Sequence, residues 1–236
     1  MPVEPAYWAI VPAAGSGRRM GAALPKQYLR LGDRTVLEHT LDTLLAVEAL
    51  AGVVLVVAAD DSDWAVIRPR YVGQSLVVVN GGAERCHSVL NGLDALAGKA
   101  AASDWVLVHD AARPCVRRDD IRALMAGMDA DSDGGLLGVP VADTMKRVAP
   151  DGRVAATVDR GGLWHALTPQ MFRLEQLRAA LRQAIEAHSL VTDEASAMEL
   201  AGYRPLMVQG HRDNIKITLP ADLELAAFYL QAEKRC

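Results

Sequence analysis

The sequence predicts an α/β protein: a mostly parallel sheet with helices on both faces, from which a β-hairpin arm projects. Three observations carry that reading. Up to about residue 140, short apolar runs alternate with segments of helical periodicity. Runs such as VVLVVAA (Val53–Ala59) are continuous rather than alternating, which marks strands covered on both faces. The alternation then breaks at DTMKRVAPDGRVAATVDR, where two short strands flank Asp151-Gly152, a strong hairpin turn.

Each element follows from its own residues. Tyr7–Ala13 (YWAIVPA) reads as the first buried strand. Val36, Leu37, Leu41, Leu44, Leu45 and Val47 then fall on one helical face, and Thr35 followed by Glu38 supplies a capping box. After Val53–Ala59 come a strand in SLVVVNGG, a helix in ERCHSVLNGLDALAG, and a strand in WVLVHDAARP that ends in polar residues. A helix in DDIRALMAGM and a strand in GGLLGVPV complete the alternation. Beyond the hairpin, RLEQLRAALRQAIEAH and DEASAMELAG read as helices and PLMVQG and NIKIT as short strands. PADLELAAFYLQAEK reads as a last helix with Pro220 near its start. There is no internal repeat, low-complexity tract or linker, so one domain over 1–236 is expected, with 141–162 as its arm. An isolated two-stranded ribbon is marginal in water, so the arm is expected to pack on a second subunit.

Composition narrows the partners. A formal charge of −4 argues against a general nucleic-acid or anionic-membrane binder, which would carry a basic surplus. A local basic cluster could still hold a small phosphorylated ligand. Cys86, Cys115 and Cys236 are far apart, so neither a disulfide framework nor a zinc site is expected from their spacing. Cys86 reads as a buried, inert thiol. The N-terminus carries Glu4 and no basic n-region, and no apolar run reaches the ~18 residues needed to span a bilayer. A cytoplasmic, reduced setting is the expectation.

In parallel α/β sheets, ligands bind beyond the carboxyl ends of the strands. Gly15–Lys26, Gly81–Ser88 and Asp110–Arg113 all follow strands and should gather on that edge. The first of these is not a dinucleotide fingerprint: Gly15-Ser16-Gly17 lacks the third glycine, and Pro25 interrupts the following helix. Nor is it a P-loop. What remains is a turn whose backbone N–H groups can face an anion, beside Arg18, Arg19 and Lys26. A triphosphate suits that set; a surface loop with solvated arginines is the alternative. Asp110, at the end of a buried strand, can reach a Mg²⁺ that also binds phosphate oxygens, or can pair with Arg113 or cap a helix. His109 reads as a packed, hydrogen-bonded residue. Gly81-Gly82 lets a base or sugar approach the backbone, or is a plain turn. Taken singly, Lys216 reads as a solvated lysine, Thr192 as a helix N-cap and Arg160 as a surface arginine.

Together the segments VPAAGSGRRMG…PKQYL, GGAERCHSV, VHDAARP, DTMKR, TVDR…LWHALTPQ, TDEASAME and DNIKIT carry a resemblance. In order and spacing they resemble the 2-C-methyl-D-erythritol 4-phosphate cytidylyltransferase family of the non-mevalonate isoprenoid pathway, over nearly the whole chain. The resemblance implies a Rossmann-like fold of nucleotidyltransferase type. It also implies a reaction, in which the phosphate of methylerythritol phosphate attacks the α-phosphorus of CTP, pyrophosphate leaves, and CDP-methylerythritol forms. The attacker is already an anion, so positioning and charge neutralisation do most of the work.

The resemblance also assigns residues. It implies that Arg19 and Lys26 hold the triphosphate and, with Lys216, stabilise the transition state. Asp110 would bind Mg²⁺, with Asp213 a weaker candidate for orienting Lys216 or assisting the metal. Ala13, Ala14, Gly15, Ser16, Gly17, Gly81, Gly82 and Ser88 would frame the nucleotide. Arg113, Thr168 and Thr192 would face methylerythritol phosphate, and Thr144 and Arg160 on the arm would reach the neighbouring subunit's site in a homodimer. Ala83 stands where some members have Asp, which bears on nucleotide affinity. Two other readings keep much of this pattern: a ribitol 5-phosphate cytidylyltransferase, and a non-catalytic CTP-binding sensor. A sugar-nucleotide glycosyltransferase would want a D-x-D motif, which HDAAR does not supply.

Overall fold

The computed structural model describes residues 4–15 and 24–233. β1 (Tyr7–Pro12) is followed by the two-residue strands β2 (Arg30–Leu31) and β3 (Arg34–Thr35), then α1 (Val36–Leu45), β4 (Leu50–Val57), α2 (Ser62–Ile67) and β5 (Leu76–Asn80). Next come α3 (Arg85–Asp94), β6 (Trp105–Val108), α4 (Arg118–Ala126) and β7 (Gly135–Pro140). The remainder holds β8 (Met145–Val148), β9 (Val154–Val158), β10 (Trp164–Arg173), α5 (Leu174–Glu186), α6 (Glu194–Leu200), β11 (Leu206–Gln209) and α7 (Pro220–Glu233).

Seven strands form one sheet in the order β11-β7-β10-β6-β1-β4-β5. β1 runs parallel to β4 and β6, as do β4 to β5 and β7 to β11, while β10 is antiparallel to both its neighbours. The chain winds outward from β1 through β4 to β5, then returns to β6 on the other side of β1. That reversal opens a crevice between the carboxyl ends of β1 and β6.

The continuous apolar runs explain why the sheet is covered twice. Ala9, Val11, Val53, Leu55 and Leu107 face a core shared with Leu37, Leu41 and Leu44 of α1 and Leu124 of α4. Ile10, Val54, Val56, Val106 and Val108 face the other, with Val89 and Leu93 of α3 and Leu177 and Leu181 of α5. Each Val, Leu or Ile among them, fully buried, stabilises the fold by about 1.5–3 kcal/mol. The capping box is present: Glu38 N donates to the Thr35 hydroxyl at 3.2 Å, and Thr35 N donates to the Glu38 carboxylate at 2.7 Å.

Several elements differ from the sequence reading. NIKIT is irregular chain, because side-chain bonds rather than a ladder fix it, as described below. The ten-residue β10 has a polar middle, LTPQ, that conceals it from an apolar-run search. α2 was not anticipated; it begins where Asp61 caps it by accepting from Trp64 N at 2.9 Å. Cys86 is half-buried rather than fully enclosed.

The hairpin at Asp151-Gly152 forms as expected, with Gly152 at φ +82°, a conformation glycine alone adopts freely. Among the described residues, its strands β8 and β9 pair only with each other. Val148 and Val154 on them are 55% and 61% exposed, large values for valines in a strand pair. Among the described residues, no helix is long and apolar enough to cross a membrane.

Candidate active site

The crevice holds a cleft of about 620 Å³. Its floor is Asp110, two residues beyond the end of β6 and 7% exposed. The Lys216 ammonium lies 2.8 Å from one carboxylate oxygen, with the Arg113 guanidinium 3.6 Å from the same atom. Arg85 Nε donates to the other oxygen at 3.2 Å. Burial by itself would raise the Asp110 pKa, but Arg85 and Lys216, helped by Arg113, hold it well below the usual carboxylate range. The floor is therefore a fixed negative charge in a ring of cations.

Each of those cations is itself positioned. Arg85 opens α3 and makes a bidentate pair with Glu194, Nη1–Oε1 2.6 Å and Nη2–Oε2 3.0 Å. Glu194 is 1% exposed, at the start of α6. Gln170 of β10 holds that helix end: its amide donates to Asp193 at 2.9 Å and its carbonyl oxygen accepts from Ala195 N at 2.8 Å. Burial opposes charge on Arg85, yet Glu194 and Asp110 outweigh it and raise its pKa above the ordinary value. Arg113 is pushed the other way, chiefly by its burial. Its Nη1 donates to Asn214 O at 2.7 Å, and Asn214 in turn donates to Thr168 O at 2.8 Å. Ile217 N donates to Ala112 O at 2.8 Å. Lys216 thus sits between two pinned neighbours, which is why NIKIT needs no strand.

His109 is wholly buried and neutral, its pKa lowered to about 4 mainly by desolvation. Its Nε2 lies 3.0 Å from Arg113 O, a carbonyl that can only accept, so Nε2 carries the proton. Nδ1 then accepts from the Thr168 hydroxyl at 3.0 Å, and that hydroxyl accepts from Asp110 N at 3.1 Å. This relay of bonds fixes the backbone that presents Asp110.

The two loops facing Asp110 lock onto each other. Gln27, buried within the PKQ turn, donates to Ala13 O at 2.6 Å and Gly15 O at 3.1 Å, leaving Lys26 on the cleft wall. A Cβ on Gly81 would lie 2.5 Å from the Ala14 Cβ, and one on Gly82 2.4 Å from the His87 Cβ, so side chains are excluded there by protein packing. The Ser88 hydroxyl accepts from Gly82 N at 3.1 Å and donates to Glu84 O at 3.2 Å.

Of the sequence-predicted residues, Ala13, Ala14, Gly15, Lys26, Gly82, Ser88, Asp110 and Lys216 line the cleft. Gly81 lies beneath, against Ala14. Arg113 and Thr168 lie behind the floor, buried. Thr192 is exposed and is not the helix cap; that role falls to Asp193, whose side chain accepts from Ser196 N at 3.0 Å. Asp213 pairs with Arg117 rather than Lys216, so Lys216 is oriented by Asp110 and the chain on either side of it. Thr144 and Arg160 are exposed at the base of the arm, where Arg160 donates to Ala142 O, and neither lines the cleft of its own chain. Ser16, Gly17 and Arg19 lie outside the described residues. Arg85, Glu194, Gln170 and Asn214 were not singled out from the sequence. An arginine beside paired glycines and a glutamate in an acidic run were visible, but nothing local couples positions 109 apart.

An ion of the Mg²⁺ type fits this donor set. Asp110 offers hard carboxylate oxygens with spare acceptor capacity, since its two hydrogen-bonded cations occupy about half of its four or so lone-pair sites. Such ions take their remaining ligands from phosphates and water.

Residues 7–232 match the family model for 2-C-methyl-D-erythritol 4-phosphate cytidylyltransferase. The protein of that name from Hahella chejuensis is 54% identical, covering 97% of this chain and 94% of its own. Its counterpart from Tolumonas auensis is 51% identical, over 97% and 98% respectively. The crystal structure of the Francisella tularensis 2-C-methyl-D-erythritol 4-phosphate cytidylyltransferase superposes with a TM-score of 0.80 at 35% identity, covering 95% of this chain and 99% of that one. The Thermus thermophilus structure of the same name gives 0.77 at 31% identity, over 97% and 100%.

Proposed function

The chain belongs to the 2-C-methyl-D-erythritol 4-phosphate cytidylyltransferase family, and on that premise we propose that the cleft at the β1/β6 crevice is its reaction centre. The protein is a nucleotidyltransferase. It moves the cytidylyl group of CTP onto 2-C-methyl-D-erythritol 4-phosphate, with pyrophosphate as the leaving group, in isoprenoid precursor biosynthesis.

The observation that supports the assignment of the centre is the cationic ring on Asp110. Two anions must meet in this reaction, and the barrier falls where preorganised positive charge awaits them. In this reading Lys216, Lys26 and Arg19 hold the triphosphate and neutralise the charge that builds at the α-phosphorus. Ala13–Gly17, Gly82 and Ser88 frame the nucleotide, with Gly81 supporting them from below. Arg113, Thr168 and Thr192 lie on the acceptor side, Arg113 and Thr168 acting through the chain they brace. Asp110 would hold Mg²⁺, whose chemistry would be charge neutralisation at the phosphates. Arg85 and Glu194 are positioning residues, keeping Asp110 ionised and aimed. The whole chain acts as one domain. Its exposed arm docks on a second copy, carrying Thr144 and Arg160 to the partner's cleft, and the homodimer works in the cytoplasm.

Pyrophosphate release with CTP and Mg²⁺ tests this, comparing methylerythritol phosphate, ribitol 5-phosphate and no acceptor. Release only with methylerythritol phosphate, abolished by EDTA and restored by Mg²⁺, is expected. Release with ribitol phosphate instead would move the enzyme to another acceptor. CTP binding without release would leave a nucleotide sensor.

A further inference from the structure

At the rim of the cleft, the N-cap and first turn of α3 bring together three side chains that the cytidylyl-transfer reading does not use. Glu84, Cys86 and His87 each present one ligand atom, and all three atoms lie within 4.8 Å of one another. The Cys86 Sγ is 3.6 Å from His87 Nδ1 and 3.9 Å from Glu84 Oε2. Ligands on a tetrahedral zinc-type ion, with metal–sulfur and metal–nitrogen bonds of about 2.3 and 2.0 Å, stand roughly 3.5 Å apart. Both Cys86 separations are close to that spacing, and the third pair lies within 4.8 Å.

We propose that Glu84, Cys86 and His87 form a binding site for a divalent transition-metal ion of the zinc class, with water in the fourth position. The donor set is one thiolate, one imidazole and one carboxylate, which selects a borderline-soft ion over Mg²⁺. The site is chemically distinct from Asp110, which offers only hard carboxylate oxygens of the kind Mg²⁺ takes. The Glu84 carboxylate is on an exposed residue, and Cys86 and His87 are half-buried, so an ion can enter from solvent. On binding, the Cys86 thiol gives its proton to solvent and the sulfur lone pair forms the new bond, with no change of oxidation state. The backbone already holds the turn in shape, because Ser88 bridges Gly82 N and Glu84 O. Glu84 also lines the cleft, so the ion would sit at the entrance of the nucleotide region.

Co²⁺ titration of the full chain reads this directly. With excess Mg²⁺ present to fill the Asp110 site, the expected result is one Co²⁺ per chain with a thiolate-to-cobalt charge-transfer band in the near ultraviolet. Zn²⁺ should displace it, and excess Mg²⁺ should not. Cys86→Ser should remove the band, and His87→Ala should weaken Co²⁺ binding about ten-fold or more. Denaturant unfolding of both variants checks that they are folded. A band that survives Cys86→Ser, equal affinity in His87→Ala, or no band in the parent protein would each overturn the assignment.

Discussion

At the cleft floor, Asp110 is engaged by Arg85 from α3 and by Lys216 from the segment after β11, and Arg85 is tied in turn to Glu194 of α6. In the arm, β8 and β9 pair among the described residues only with each other, and Val148 and Val154 face outward. One region is closed by contacts between residues far apart in the chain. The other is finished locally and left open. The network at the floor is paid for by the two cores that bring its elements together, so the floor is set once the sheet has folded. The arm has no such backing, and its apolar surface has a use only against something else.

Four variants would sharpen or break that contrast. Lys216→Ala should have the largest effect, lowering turnover about 10²–10³-fold while leaving the fold intact, because it removes charge preorganised for the transition state. Asp110 keeps Arg85 and Arg113 when Lys216 is removed, so the fold should survive the loss. Near-normal steady-state turnover would remove Lys216 from the reaction. Glu194→Ala should act through stability first. It leaves Arg85 with Asp110 as its remaining carboxylate partner and should cost about 3 kcal/mol in urea unfolding, the lower end for a broken buried pair because Arg85 keeps Asp110 and some solvent contact. Turnover should fall with it; unchanged stability would mean the pair does not brace the site.

His109 supplies a pH test of the same floor. Its folded pKa, about 4, is below the ordinary value near 6.5, so the unfolded state binds more protons between those limits. Its contribution to stability is present above about pH 6.5 and is lost as pH falls toward 4, by roughly 3 kcal/mol in all. In His109→Gln that part of the acid-side slope should vanish. An identical slope would show that the imidazole is not held neutral.

The smallest effect on the fold is expected in the arm. Val148→Thr with Val154→Thr should change the stability of the isolated chain by less than about 0.5 kcal/mol. Sedimentation should nonetheless show a dimer in the parent protein and a shift toward monomer in the double variant. A parent protein that is monomeric at every concentration would end the docking role of the arm.

The sheet was legible because its signals are local. Continuous apolar runs, the Thr35–Glu38 box and the Asp151-Gly152 turn each act within a few residues. The cleft's location also followed, since the loops after β1, β5 and β6 must lie on one edge. β10 was not legible, because Thr168 and Gln170 turn inward to bond His109 and α6, which breaks the apolar pattern. NIKIT looked like a strand because Ile215 and Ile217 alternate with polar residues; Asn214 and Ile217 instead tie it to Thr168 and Ala112.

By itself the sequence determined the layers, the edge on which the loops gather, the arm, and the family to which the motifs belong. Each rests on periodicity, turn chemistry or a quoted string. Tertiary structure alone decided what each charged residue does: that Arg85 faces both Glu194 and Asp110, that Asp213 turns to Arg117 and leaves Lys216 to Asp110, and that Asp193 rather than Thr192 caps α6. The reason is physical. A carboxylate takes whichever cation the packing of two cores brings within about 3 Å, and chain separation carries no record of that distance.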